Sequence, residues 1–182
     1  MKHRQEHVRS TTVVVVNIEG KVAMAADGQV SLGDMIVKAR AKKLRTMQDG
    51  KILAGFAGST SDALTLFDKF ETYLEKTRGD LRRAAVDLVK EWRTDKILRR
   101  LEALLLVADR KNLLMLSGGG DVVEPDGGVA AIGSGAAPAL AAARALVEHT
   151  EMGAEEVALA AVKIASGICV YTNENISVLT IE

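Results

Sequence analysis

The sequence predicts an α+β fold: a four-layer αββα sandwich in which two antiparallel sheets stack face to face and each carries a helix pair on its outer side. Three observations lead there. The periodicity runs strands, two helices, strands, two helices, strand, a clustered order that does not build a βαβαβ parallel sheet. The strand segments are short and apolar throughout, as in sheets covered on both faces. No linker long enough to divide domains interrupts the 182 residues, and a 48% hydrophobic content supplies one sizeable core.

Each element follows from its local pattern. Residues 1–10 are polar and aperiodic, and the pattern changes at Thr11-Thr12-Val13-Val14-Val15-Val16, which reads as a buried strand. Glu19-Gly20 supplies a turn, residues 21–26 return, and Asp27-Gly28 ends the hairpin that opens the folded domain, 11–182. A second strand pair is predicted at 43–46 and 52–57, around Asp49-Gly50. From Ser61 the period becomes helical, with Leu64, Phe67, Phe70 and Leu74 on one face, and Gly79 stops the run. A second helix from Leu81 carries Ala85, Leu88, Val89, Trp92 and Leu98 on one side. Strands return at 103–108, 113–117 and 129–132, with glycine-rich turns between them. After Gly133-Ser134-Gly135 come an alanine-rich helix to about His149, another from Ala154 to about Ser166, and a last strand near 176–181.

Composition excludes several function classes. Lysine plus arginine equals 24 and aspartate plus glutamate equals 24, and only 3% of residues are aromatic, so neither the charge nor the stacking surface of a nucleic-acid binder is present. One cysteine, Cys169, makes neither an internal disulfide nor a structural zinc site, which fits a reducing, cytoplasmic setting. No signal-peptide core and no bilayer-spanning apolar run occurs, so no membrane partner is expected. Gly133-Ser134-Gly135-Ala136-Ala137-Pro138 holds proline where a dinucleotide loop needs its third glycine, and Gly118-Gly119-Gly120-Asp121 lacks the Lys-Ser/Thr pair of a phosphate loop. Neither is read as a nucleotide site.

Thr11-Thr12 alone reads as the start of a strand. Its surroundings change the reading. Ala26-Asp27-Gly28-Gln29, Lys42-Lys43, Ala54-Gly55-Phe56-Ala57-Gly58, Trp92-Arg93-Thr94-Asp95, Gly120-Asp121-Val122-Val123, Ala131-Ile132-Gly133-Ser134-Gly135 and Ile168-Cys169-Val170-Tyr171-Thr172-Asn173 follow it in order. With these stretches the sequence resembles the HslV (ClpQ) family, bacterial threonine protease subunits related to proteasome β-subunits. The resemblance implies the αββα fold of N-terminal nucleophile hydrolases and assembly as two stacked six-membered rings. It also implies pairing with the hexameric AAA+ unfoldase HslU (ClpY), which uses the ATP, and unfolded polypeptides as substrate.

A threonine hydroxyl is a poor nucleophile until a base takes its proton, and a free α-amine of pKa about 7.7–8.0 is such a base on the same residue. Within a chain that nitrogen is an amide. Thr11 is therefore expected to be nucleophile and base only after residues 1–10 are removed as a propeptide by its own hydroxyl. By resemblance, Lys43 is the active-site lysine that favours the deprotonated hydroxyl and Asp27 the carboxylate that holds it. Gly55 is the residue whose N–H stabilises the oxyanion, its missing side chain admitting the substrate backbone, and Ser134 hydrogen-bonds near the threonine amine. Replacing Lys43 is expected to remove activity with little loss of folding. Backbone carbonyls at Ser166, Cys169 and Thr172 match those that bind a structural monovalent cation, sodium, and Cys169 is then a packed residue. The leader is longer than the bare initiator methionine common in the family, and Ser166 stands where the family has glycine. Two other readings stay open: an N-terminal nucleophile amidohydrolase acting on small amides, and a catalytically silent ring or scaffold subunit.

Overall fold

A computed structural model describes residues 8–9, 11–101 and 103–182, so most of the expected propeptide, 1–7 and 10, lies outside the described residues. The chain runs β1 (Val8–Arg9), β2 (Thr12–Ile18), β3 (Lys21–Ala26), β4 (Val30–Leu32), β5 (Met35–Lys38), β6 (Leu44–Met47), β7 (Ile52–Ala57), α1 (Thr60–Lys76) and α2 (Leu81–Thr94). It continues through β8 (Leu104–Ala108), β9 (Leu113–Ser117), β10 (Val122–Val123), β11 (Val129–Gly133), α3 (Ala136–His149), α4 (Ala154–Ser166) and β12 (Ser177–Ile181).

The strands form a four-stranded sheet ordered β11-β2-β3-β12 and a five-stranded sheet ordered β10-β9-β8-β7-β6. All their pairings are antiparallel. The unbroken valine run of β2 has a simple cause. Alternate side chains of a strand point to opposite faces, and here both faces are covered. Val13 and Val15 meet Met24, Leu53 and Leu106 between the sheets. Val14 and Val16 pack with Ala23, Ala25, Ala158 and Ala161 beneath α3 and α4. On the other outer face Phe67, Phe70, Leu88 and Trp92 of α1 and α2 cover Phe56, Leu105 and Val107. The four expected layers are therefore present, with an alanine-rich outer layer thin enough for helix and sheet backbones to approach closely.

Four features depart from the sequence reading. A hairpin of β4 and β5 follows Asp27, built from runs of three and four residues that carry too little pattern to read. Val8–Arg9, read as part of a polar tail, pairs antiparallel with β4, Val8 opposite Leu32 and Arg9 opposite Ser31. Backbone pairing needs no apolar pattern. The two-residue strand β10 pairs with β9. Finally, α2 stops at Thr94, because Asp95 turns its carboxylate onto the N–H groups of Ile97 and Leu98, and Leu98 reaches the core from a 3-10 turn. No helix among the described residues is long and apolar enough to cross a membrane.

The alanine layer gives a direct test. Ala158 is fully buried between α4 and the four-stranded sheet, so Ala158→Leu is expected to cost about 1–3 kcal/mol by overpacking, measured by chemical denaturation, whereas the exposed Glu155→Leu is expected to change little.

Candidate active site

Thr11 sits immediately before β2, and the neighbouring β11 delivers Gly133-Ser134-Gly135 directly over it. The Ser134 N–H donates to the Thr11 carbonyl at 2.8 Å, and the Gly135 N–H donates to Thr12 Oγ1 at 3.1 Å. The approach is so close that a Cβ at Gly133, whose φ is +98°, would collide with the Thr11 carbonyl oxygen, and one at Gly135 with Thr12 Oγ1. This explains the glycine pair: the turn is a clamp on the Thr11-Thr12 backbone. Ser134 takes part through its amide, while the residue itself is exposed.

Asp27, at the end of β3, is fully buried and accepts four hydrogen bonds. Its Oδ1 receives the Thr12 N–H at 2.8 Å and Lys43 Nζ at 2.8 Å. Its Oδ2 receives the N–H groups of Gln29 at 2.9 Å and Asn173 at 3.3 Å. Lys43 Nζ also donates to the Gln29 carbonyl at 2.7 Å. The pair is no surface ion pair, since the two side chains are 0% and 2% exposed. Burial pushes the Lys43 pKa below its ordinary value, and the charge and hydrogen bond of Asp27 oppose that shift.

Thr11 itself is unusual twice over. Its φ of +115° is a strained conformation for a β-branched residue. Its Oγ1 is buried with no hydrogen-bond partner among the described residues. A buried hydroxyl without a partner calls for an explanation, and a cavity of about 300 Å³ lies against the residue. Thr11, Lys43, Val30, Arg40, Phe56 and Gly58 are among its lining. The arrangement offers an unengaged hydroxyl, a fixed cation and an apolar wall on one space.

Thr11, Asp27, Lys43 and the backbone amide of Ser134 thus converge from four parts of the chain, the Ser134 contact being to the Thr11 carbonyl and not the expected one near its amine, and Gly55 does not join them as expected. The Phe56 N–H donates to the Lys43 carbonyl in β6's direction, so by strand alternation the Gly55 amide turns toward β8, opposite Leu106. A Cβ at Gly55 would lie 2.8 Å from Met24 Sδ and Val13 Cγ1. Its missing side chain makes room for the core between the sheets, which corrects the expectation that it admits substrate. Gly58, at φ +147° between β7 and α1, is the glycine on the cavity. Sequence reading also missed Thr12, Gln29, Thr172 and Asn173 as members of the hydrogen-bonded network, although all four lie in or beside the matching stretches.

Ser166 ends α4, and its hydroxyl turns back to the Lys163 carbonyl at 2.7 Å. The chain then winds on, with the Cys169 N–H bonded to the Ala165 carbonyl and the Thr172 N–H to the Cys169 carbonyl. Of the three expected cation ligands only Ser166 lies in the last helical turn, whose carbonyls lack helical partners, and the Cys169 carbonyl already accepts the Thr172 N–H; a cation held here would be held by backbone oxygens. No cluster of three or more His, Cys, Asp or Glu able to hold a metal occurs among the described residues.

Residues 8–181 match the Proteasome subunit family. The chain is 57% identical over 170 residues to the ATP-dependent protease subunit HslV of Pseudothermotoga lettingae, covering 93% of this chain and 97% of that one. The chain belongs to the HslV family. A second HslV, from Syntrophobacter fumaroxidans, is 58% identical over 166 residues, 91% of this chain and 93% of the relative. The crystal structure of eukaryotic HslV from Trypanosoma brucei superposes with a TM-score of 0.89 at 43% identity, over 94% of this chain and 99% of that one. HslV subunits are proteasome-like threonine peptidases, and this chain is one of them. A small-amide hydrolase is not favoured by such identity over nearly the whole length.

Burial of the ion pair revises what replacing Lys43 does. Lys43→Met leaves the Asp27 charge buried without its cation and is expected to cost about 3–5 kcal/mol of stability, read by denaturation. The pH dependence has a definite sign. Because burial lowers the folded-state pKa below 10.5, the unfolded chain holds more protons between the two values, and stability contributed by Lys43 rises with pH across that window. Lys43→Met is expected to lack that rise.

Proposed function

We propose that this HslV subunit hydrolyses peptide bonds in unfolded polypeptides with Thr11 as nucleophile, inside two stacked six-membered rings fed by the HslU ATPase. The observation that carries the reading is the buried Thr11 hydroxyl, unpartnered among the described residues, on the same cavity as Lys43, whose ammonium Asp27 fixes.

The first turnover is intramolecular. The Thr11 hydroxyl attacks the carbonyl of residue 10, the acyl group passes from nitrogen to oxygen, and water releases it, leaving Thr11 with a free amine. The strained φ favours this step, because cutting the preceding bond frees the rotation that φ describes. In later turnovers the amine takes the hydroxyl proton as Oγ1 attacks a substrate carbonyl, then gives it to the departing amine. Water, deprotonated by the same amine, cleaves the acyl ester. The Lys43 ammonium lowers the cost of charge on Oγ1. The N–H groups of the Gly58 turn at the head of α1 are better placed than Gly55 to meet the oxyanion, since Gly58 lines the cavity and the Gly55 amide faces a neighbouring strand.

The carbonyls of Ser166, Cys169 and Thr172 would hold a structural sodium ion, which when bound would fix the loop that carries Thr172 and Asn173 to Asp27. Partnership with HslU and ring assembly rest on the naming of the close relatives, and ATP would be used by that partner. A cytoplasmic setting accords with the single cysteine.

Thr11→Ala is expected to lower cleavage of a fluorogenic peptide by about 10³-fold or more while the rings still assemble, and unchanged turnover by the pure variant would remove Thr11 from the chemistry. Unfolded casein cleaved faster with HslU and ATP than without separates the ATP-dependent protease from a hydrolase of small amides.

A further inference from the structure

We infer that the buried hydroxyl pair of Thr12 and Thr172 is a positioning device that holds the nucleophile's backbone in register with the Asp27–Lys43 pair. The inference rests on the reading of Thr11 as nucleophile. Thr12 Oγ1 and Thr172 Oγ1 lie 2.7 Å apart, bridging positions 160 residues distant in sequence. The two residues are 0% and 5% exposed. Gly135 closes over both: its N–H donates to Thr12 Oγ1, and a Cβ there would come within 2.7 Å of Thr172 Oγ1.

The pair completes a ring of contacts. The Thr12 N–H bonds Asp27 Oδ1, the N–H of Asn173, next to Thr172, bonds Asp27 Oδ2, and the two threonine hydroxyls join the remaining sides. Two separate chain segments are thereby tied to opposite oxygens of one carboxylate and to each other. Thr11 is the residue beside this ring, and its own carbonyl is held by Ser134. Its main chain is thus fixed on the C-terminal side by two clamps, while its hydroxyl has no hydrogen-bond partner among the described residues. Neither Thr12 nor Thr172 is placed on the cavity by its lining, so the pair acts through Thr11 and Asp27 and touches no substrate.

A positioning role differs from a purely structural one in what it does to turnover. Misplacement of a reacting group by about 1 Å is felt in the chemical step, and groups acting as one unit give losses that do not multiply. The test is a double-mutant cycle of Thr12→Val and Thr172→Val on the assembled protein. It reads kcat and KM for a fluorogenic peptide, normalised to the fraction of chains whose mass shows a processed N-terminus, with Tm measured alongside.

Each single variant is expected to lower kcat by about 10-fold with KM changed less than about twofold, and the double variant to be no worse than the poorer single one. Thr12→Ser and Thr172→Ser, which keep the hydroxyl, are expected to stay within about threefold of the unsubstituted protein. If Thr12→Val does not assemble, Thr172→Val against Thr172→Ser decides on the same terms. Valine variants that lose Tm but keep kcat would overturn the inference, as would single losses that multiply in the double variant or a serine variant as slow as the valine one. An inactive unsubstituted protein, or an active Thr11→Ala, would instead fail the underlying assignment of Thr11.

Discussion

Four donors converge on the buried carboxylate of Asp27, and the geometry around Thr11 depends on that convergence. A charge removed from water is tolerated only when every lone pair is engaged. Here the donors come from the start of β2, the turn after β3, the lysine before β6 and the loop before β12. Meeting the carboxylate's demand therefore brings four segments together at one end of the sandwich. The site is organised by the same interaction that would be costly if any one segment were displaced. Lys43 is held by two oxygens, Asp27 Oδ1 and the Gln29 carbonyl, so its charge has a fixed address beside the cavity.

The rest of the molecule supplies rigidity to that end. β2 and β3 are covered on both faces, by the second sheet on one side and by α3 and α4 on the other, so close packing holds both strands in place. The glycines serve closeness of approach in two different ways. Gly133 and Gly135 let the turn after β11 touch the Thr11-Thr12 backbone, whereas Gly55 lets Val13 and Met24 of one sheet meet β7 of the other. The same residue type thus marks the site in one case and the core in the other.

How much of this was legible in the sequence follows from how each signal is encoded. The four layers were readable because β2 is an unbroken apolar run, because apolar periodicity is strong in α1 and α2, and because alanine dominates α3 and α4. Thr11, Asp27, Lys43 and Ser134 were legible only through family resemblance, since spacings of 16 and 123 residues carry no local pattern; the structure then supplied the contacts. Gly55 was misread because a glycine in a strand gives no sign of which side its missing Cβ would occupy. Thr12 was overlooked because a second threonine reads as ordinary strand propensity, although it opens β2 with its hydroxyl bonded while Thr11, just outside the strand, has a hydroxyl without a partner among the described residues. The β4–β5 hairpin and the pairing of Val8–Arg9 rest on backbone hydrogen bonds over short runs, which side-chain patterns do not announce.

In the proposed mechanism an internal threonine becomes a terminal one, which converts an inert amide into the base that the hydroxyl needs. The most direct measurement is the intact mass of the purified protein with sequencing of its first residues. Loss of residues 1–10 in the unsubstituted protein, and their retention in Thr11→Ala, is what the account predicts. An assembled, peptidase-active protein that still carries residue 10 joined to Thr11 would contradict it.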